Sequence, residues 1–102
     1  MPKEKTPETK LKIACTKAIK QFGGYSLAIP GGAFGTNGAP DRIVFYRGEA
    51  IAVEFKSEKG NLGPAQVKVK AFIESTGCKY LVVRTLDDLY AGLGIKTLLG
   101  GL

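Results

Sequence analysis

The sequence predicts one α/β domain: a mixed β-sheet of about four strands flanked by helices, with an αβββαβ core and one further helix at the C-terminal end. Three observations predict it. The length of 102 residues suits a single hydrophobic core. Apolar residues recur at helical spacing near the N-terminus and again after residue 63. Short apolar runs of strand length, bounded by glycine or polar turns, lie between and after these segments.

Charge and composition restrict the classes of function. Lys and Arg outnumber Asp and Glu by 15 to 9, and the chain has no histidine. A basic surface favours a polyanionic partner such as nucleic acid, and the missing histidine excludes His-based catalytic triads and most zinc sites. We find no signal peptide and no run of about 18 apolar residues, so we expect a cytoplasmic protein that does not enter a membrane. Cys15 and Cys78 form no CxxC pair, and we expect both to be reduced core residues.

The first helix is predicted from Thr6 onward, after a charged lead of residues 1–6 that we expect to be disordered. Thr6 suits the N-cap, Pro7 suits the first helical position, and Glu8 places an acid in the first turn. The helix ends at Gly23-Gly24. Its apolar face consists of Leu11, Ala14, Cys15, Ala18, Ile19 and Phe22.

A short strand is predicted over residues 25–29, followed by a glycine-rich loop over residues 30–40. The loop lacks the GK[ST] ending of a phosphate-binding P-loop and leads into a strand rather than a helix. We therefore expect a mobile flap, or a segment that approaches other backbone closely, beside the acidic cluster described next.

Residues 42–46 and 50–56 form a predicted hairpin. Both faces of its strands are apolar, as in central strands that are covered on both sides. A two-residue turn at Arg47-Gly48 pairs Tyr46 with Glu49, and the same register continues along both strands.

This register places Asp41 opposite Glu54, and Lys56 on the same face of the sheet. A turn with an odd number of residues would put the two acids on opposite faces, so the prediction of a shared site depends on the turn.

The remaining elements follow a polar loop over residues 57–62. A second helix begins near Gly63-Pro64 and ends at residue 75 or 76, before Gly77. A buried strand over residues 79–84 is expected to run parallel to the second hairpin strand, because a helical crossover joins them. The predicted inward face of the helix consists of Ala65, Val69, Phe72, Ile73 and Thr76, with Lys68 and Lys70 near water.

A last helix is predicted to start at Thr85, which can cap it, with Asp87 and Asp88 in its first turn. The tail from Gly92 has two open interpretations: a fraying end, or an apolar surface for a partner.

Asp41 and Glu54 together predict a metal site. Two facing carboxylates in a half-buried pocket repel, and a divalent cation would neutralise the pair. Mg²⁺ prefers oxygen ligands and is commonly held by one or two carboxylates plus substrate phosphates; the backbone carbonyl of Phe55 is a candidate third ligand. Such an ion can polarise a phosphodiester and lower the pKa of a bound water.

Three further residues are candidates for the same site. Lys56 can orient the nucleophile, help to deprotonate it, or offset charge in the transition state. Gln66, in the first turn of the second helix, can bridge water, phosphate and Lys56. Glu8 can reach the ion directly or through water.

Purely structural roles stay open for each of these residues. Asp41 can simply open a strand, and Glu54 with Lys56 can form an exposed cross-strand ion pair. Gln66 can be an ordinary helix-start residue, and Glu8 can be an acid that favours the helix dipole.

The chain resembles the VRR-NUC family, the virus-type replication and repair nucleases of the PD-(D/E)xK superfamily. The resemblance rests on Gly38-Ala39-Pro40-Asp41, on Glu54-Phe55-Lys56, on Leu62-Gly63-Pro64-Ala65-Gln66, and on Gly77 with the strand Leu81-Val82-Val83-Arg84. It implies a restriction-endonuclease-like fold and Mg²⁺- or Mn²⁺-dependent cleavage of DNA. It also implies metal acids at Asp41 and Glu54, the catalytic lysine at Lys56, the glutamine at Gln66 and, most weakly, the first-helix acid at Glu8.

We therefore expect an endonuclease that acts on branched DNA such as four-way (Holliday) junctions or flaps. The resemblance and the apolar Gly-Leu tail suggest a homodimer, whereas the family and the small size suggest a bacterial cell or a phage-infected host. Two alternatives are a non-catalytic nucleic-acid-binding module and a sequence-specific restriction-type endonuclease. The residues expected to contact the DNA backbone are Lys59, Lys68, Lys70 and Lys79.

Overall fold

The computed structural model describes residues 5–30 and 37–96, and its elements follow the predicted order. They are α1 Pro7–Gln21, β1 Tyr25–Ala28, β2 Arg42–Tyr46, β3 Glu49–Phe55, α2 Pro64–Ser75, β4 Lys79–Val83 and α3 Leu86–Leu93. Within these described ranges, no helix is both long enough and apolar enough to cross a membrane. Most of the predicted flap, the lead as far as residue 4 and the end of the C-terminal tail lie outside the described residues.

Both helix starts that the sequence predicts from threonine caps are confirmed. The Thr6 hydroxyl accepts the backbone N–H of Thr9, at 3.1 Å, so this part of the lead belongs to the helix cap. Thr85 caps α3 reciprocally: its hydroxyl accepts the N–H of Asp88, and the Asp88 carboxylate accepts the N–H of Thr85.

The four strands form one mixed sheet in the order β1-β2-β3-β4. Strand β2 runs antiparallel to both β1 and β3, and β4 lies parallel to β3, as the helical crossover predicts. Arg47 and Gly48 have φ of 50° and 78°, the two positive values that a two-residue type I′ hairpin turn requires. The turn pairs Tyr46 with Glu49, so the predicted hairpin register is confirmed.

One face of the sheet forms the hydrophobic core with α1 and α3. Alternate residues of the central strands point to this face, and they pack against side chains from both helices. The fully buried members with the largest side chains are Phe55, Ile19, Ile51, Leu89, Val44, Val53, Val83 and Cys15. These residues contribute most of the apolar burial that stabilises the fold.

The opposite face is only partly covered, which corrects the prediction that both hairpin strands are buried on both sides. Helix α2 packs on this face near β4, and none of its residues is buried. Phe72 and Thr76, predicted to point inward, are exposed, and Phe72 keeps 66% of its surface. Phe45 of β2 is 43% exposed because α2 does not extend over it.

The two cysteines differ in environment. Both are free thiols, as predicted, but only Cys15 is buried. Cys78 is exposed just before β4, which corrects its assignment to the core. Burial, with a smaller effect from the Asp88 charge, raises the pKa of the Cys15 thiol to about 11.

Candidate active site

Asp41 lies where the ends of three strands meet. The β2–β3 ladder stops at the pair Arg42 and Val53, so Asp41 follows at the position opposite Glu54. Its Oδ2 accepts the backbone N–H of Phe55 at 2.8 Å, and its carbonyl accepts the N–H of Ile29 at 2.9 Å. The carboxylate is therefore held at the end of the sheet, with Oδ1 directed away from the Phe55 amide.

Glu54 is a buried acid with one unpartnered oxygen. The residue is only 4% exposed; its Oε2 lies 3.6 Å from Lys56 Nζ and accepts Gln66 Nε2 at 2.9 Å. Its Oε1 is buried, and no group of residues 5–30 and 37–96 forms a hydrogen bond with it. Burial raises the pKa of Glu54, the Asp41 charge raises it further, and Lys56 and Gln66 only partly oppose the shift.

Gln66 connects the second helix to this acid. Its Oε1 accepts the backbone N–H of Gly63 at 3.0 Å, and its amide nitrogen donates to Glu54. One side chain therefore satisfies an N–H at the start of α2 and orients the buried carboxylate. The sequence predicts that Gln66 bridges water, phosphate and Lys56; in the structure its amide lies against Glu54.

The Gly38-Ala39-Pro40-Asp41 segment packs closely on the start of α2. Gly38 has φ of 85°, and a Cβ at this position would collide with the backbone carbonyl of Ala65. Only glycine permits both the dihedral angle and the contact. Between this segment and α2 lies a cleft of about 400 Å³, whose lining includes Asp41, Gln66 and Pro64.

Lys12 links Glu8 to the site, a role that the sequence analysis missed. Its Nζ lies 3.6 Å from Glu8 Oε1 and 3.8 Å from Asp41 Oδ1. Glu8 therefore reaches Asp41 through an ammonium group. The spacing of four residues between Glu8 and Lys12 is a visible signal for a helical ion pair, but it does not show that the pair meets Asp41.

Tyr80 is a second residue near the site that sequence reasoning did not identify. It pairs with Ala52, two residues before Glu54, and it is 6% exposed. Its hydroxyl has no hydrogen-bond partner in the part of the chain that the structure describes. Burial, with smaller effects from the Glu54 and Asp41 charges, raises its pKa to about 12. The hydroxyl therefore stays protonated at neutral pH and can donate a hydrogen bond.

The oxygen ligands offered by these residues suit an ion such as Mg²⁺, which needs few protein ligands, better than an ion that is held by protein ligands alone. Asp41, Glu54 and the carbonyl of Phe55 offer oxygen ligands; this carbonyl points to the same side of β3 as the N–H that Asp41 accepts. In the part of the chain that the structure describes, no three His, Cys, Asp or Glu side chains converge as a metal cage. Mg²⁺ tolerates this, because it keeps several waters and takes substrate phosphates as ligands.

The four predicted DNA-contact lysines occupy different places. Lys59 is exposed in the loop after β3, and Lys68 is exposed on α2. No carboxylate of the described residues forms an ion pair with either of them. Both are therefore placed to contact a polyanion.

Lys70 and Lys79 already have acidic neighbours. Lys70 is half-buried and lies 2.9 Å from Glu74, whereas Lys79 lies 3.3 Å from Glu49. Lys79 begins β4 beside Ile51, at the opposite end of the strand from the acidic residues. The structure does not bring Lys79 to the candidate site.

Comparisons with known proteins find similarity in structure. No family model matches the sequence, and no curated protein matches it. A solved structure described as a VRR_NUC domain aligns with a TM-score of 0.73 and 22% identity, over 85% of this chain and 94% of that one. Hjc, a Holliday junction resolvase from the archaeal hyperthermophile Archaeoglobus fulgidus, aligns with a TM-score of 0.58 and 17% identity, over 76% and 67% of the two chains. The chain therefore has the fold of a VRR_NUC domain and of this resolvase, as the sequence resemblance predicts.

Proposed function

We propose that this protein is a divalent-metal-dependent DNA endonuclease that cleaves branched DNA, such as four-way junctions or flaps. The observation that carries the proposal is the buried, unpartnered Oε1 of Glu54 beside Asp41 and Lys56. A buried carboxylate with a raised pKa is costly unless a cation or proton compensates it. Glu54 lies directly behind the cleft that Asp41 and Gln66 line, and perturbed groups at a cleft are typical of catalytic sites.

Asp41, Glu54 and the Phe55 carbonyl would hold Mg²⁺ or Mn²⁺, with Glu8 as a further candidate. When bound, the ion would polarise the phosphodiester and lower the pKa of the attacking water. Lys56 would offset the negative charge that grows on the phosphate. Gln66 keeps Glu54 in place, because its amide is fixed at its other end by the N–H of Gly63.

The cleft beside Asp41 and the start of α2 is the expected place for the scissile strand. It is open to solvent and adjoins Gln66. Exposed Lys68, two residues further along the same helix, lines a neighbouring groove with Pro64 and Ala65. Lys59 is exposed in the loop after β3. We expect Lys59 and Lys68 to contact the DNA backbone without reading bases, whereas Lys70 and Lys79 would first have to leave Glu74 and Glu49.

Branched DNA as the substrate is supported by the fold shared with Hjc, which is described as a Holliday junction resolvase. A four-way junction has two equivalent strands to cut, and a two-fold symmetric dimer presents two equivalent sites. The two free cysteines support a reducing, cytoplasmic setting.

A homodimer is supported by the uncovered part of the sheet. We define the open face as Tyr25, Leu27, Phe45 and Phe72, which are 63%, 46%, 43% and 66% exposed. Tyr25 stacks on Phe45 with ring centroids 6.4 Å apart, and Phe72 lines an apolar groove of about 320 Å³ beside β2 and β3. A large exposed apolar patch rich in aromatic residues is typical of protein interfaces.

A cleavage assay tests the activity. Labelled four-way, flap, single-stranded and linear duplex DNA are incubated with Mg²⁺, Mn²⁺ or EDTA. We expect metal-dependent cutting of branched substrates, and a loss of about 10²–10³-fold in Asp41→Asn and Lys56→Ala, as for removal of a transition-state contact. Lys17→Ala, an exposed change on α1, is the control.

Each alternative predicts a different result. Cleavage in EDTA, or undiminished cleavage by both site variants, would remove the proposed site. Tight DNA binding without cleavage under any metal would indicate a binding module instead. Equal cutting of all four substrates would contradict the preference for branched DNA, and cutting of linear duplex at one sequence would indicate a restriction-type enzyme.

Sedimentation at several concentrations tests the dimer. We expect wild type to dimerise and Phe45→Glu to remain monomeric, because a charge on the open face must be desolvated in the interface. Lys17→Glu, which introduces the same side chain at an exposed position of α1, on the opposite face of the sheet, should still dimerise. A monomer at every concentration in the wild type would contradict the dimer without affecting the metal site.

A further inference from the structure

We propose that Lys12 serves as an internal counter-cation for Glu8 and Asp41, and that it turns to a DNA phosphate when a divalent ion binds. The second half of this inference rests on the proposed nuclease function, whereas the first half does not. Lys12 lies between Glu8 and Asp41, and it reaches the carboxylate that also accepts the Phe55 amide.

The charges around the site motivate the exchange. Glu8, Asp41 and Glu54 supply three carboxylates, and Lys12 and Lys56 supply two ammonium groups. With all five ionised, one negative charge remains in excess. A divalent ion would convert this excess into one positive charge, which matches the single negative charge of a phosphodiester.

The geometry distinguishes the two lysines. Lys56 has only 20% of its side chain exposed and adjoins buried Glu54, so it is confined to the site. The Lys12 side chain is 40% exposed, and its distances of 3.6 and 3.8 Å exceed those of a tight charge-assisted hydrogen bond, about 2.7–2.9 Å. Its flexible stem therefore allows the ammonium group to leave the acids for solvent or for a bound phosphate.

Competition with the ion follows from this arrangement. An ammonium group near Asp41 Oδ1 repels an incoming divalent ion and must move when that ion takes the same oxygen. Lys12 thus lowers the affinity of the empty site for metal and favours binding of metal and DNA together. An ordinary helix-surface pair between Lys12 and Glu8 would have neither effect.

The first experiment measures ion binding without DNA. Mn²⁺ is titrated calorimetrically into wild type, Lys12→Met and Lys10→Met. Lys10 is an exposed lysine two residues away on the same helix, so this control removes the same charge from another face. We expect Lys12→Met to bind Mn²⁺ about tenfold more tightly, since removing a unit charge near the site changes binding by this order. Equal affinity in the two variants would overturn the competition.

The second experiment needs neither metal nor activity. Thermal unfolding is measured in EDTA for Lys12→Met, Asp41→Asn and the double variant. We expect Lys12→Met to lower the Tm of the wild type by about 2–4 °C. In the Asp41→Asn background the same substitution should lower the Tm by less, because the charge that Lys12 neutralises is already gone. Additive shifts would show that Lys12 does not serve as the counter-cation. This result stands even if the protein proves not to be a nuclease.

The third measurement concerns the DNA contact. The affinity for a four-way junction is measured in Ca²⁺ at several salt concentrations. We expect the slope of log affinity against log salt to be shallower by about 0.9 in Lys12→Met than in wild type, because the variant has lost one contact to a phosphate. Lys10→Met is again the reference. An unchanged slope, together with tighter Mn²⁺ binding, would overturn the transfer to phosphate and retain the competition with metal.

Discussion

The two faces of the sheet differ in how completely they are covered. The face under α1 and α3 carries Val44, Ile51, Val53 and Phe55, each no more than 1% exposed. The face under α2 carries Phe45, which is 43% exposed, and the acid Glu54, which is only 4% exposed. The first face holds the fold together, and the second combines a buried charge with uncovered apolar surface.

This difference shows how a small domain can separate stability from function. A closely packed apolar face contributes most of the free energy of folding. The opposite face can then accommodate a buried acid with a raised pKa and an aromatic patch left in water, both of which are unfavourable for an isolated monomer.

The largest expected effect comes from removing one phenylalanine from each face. Phe55→Ala should lower the free energy of unfolding by about 3–5 kcal/mol, because it leaves a cavity in the core. Phe45→Ala should cost about 1 kcal/mol or less, because half of that ring is already in water. Urea denaturation at low protein concentration measures both. Equal losses would mean that the second face is as well packed as the first.

A second test concerns how α2 is held on the open side of the sheet. Gly38→Ala should cost about 1–2 kcal/mol for the left-handed backbone, and a further ~1–3 kcal/mol for the collision with Ala65. Gly48→Ala is the matched control, since its φ is 78° but no atom of the described residues lies within 4 Å of the added methyl group. Cleavage should fall only in Gly38→Ala; equal stability loss in both variants would argue against the close contact.

A third test measures the cost of the buried acid. In EDTA at pH 7, Glu54→Gln should be more stable than wild type, because burial raises the pKa of Glu54 and disfavours its ionised form in the fold. When the pKa of a carboxyl group is higher in the folded state than in the unfolded state, the free energy of unfolding falls as the pH rises from the unfolded-state pKa to the folded-state pKa. The advantage of Glu54→Gln should therefore shrink as the pH falls toward about 4.5. Thermal unfolding across this range checks the sign; an advantage that grows at low pH would contradict it.

The smallest expected effect is chemical and leaves the fold unchanged. Cys78 should react quickly with a thiol reagent, whereas Cys15 should react only when the protein unfolds, because it is buried and its pKa is about 11. A colorimetric thiol count should give one fast thiol in wild type and none in Cys78→Ser. A fast second thiol would show that the core face opens readily.

The sequence determined the order of the elements, the two threonine caps and the hairpin register, because each depends on residues close together in the chain. A two-residue turn sets which residues share a face, so Asp41 meets Glu54 and Lys56 without knowledge of the rest of the fold. The sequence also predicted Gln66 as a site residue, because it lies in the first turn of the helix that follows β3.

Only the tertiary structure decided which side chains meet across elements that are distant in sequence. Lys12 reaches Asp41, and Tyr80 lies beside Glu54, because helix and strand pack at particular positions. Helical periodicity made Phe72 look like a core residue, yet α2 extends over too little of the sheet to bury it. Periodicity identifies the apolar side of an element, but the extent of the surface packed against that side depends on the whole fold.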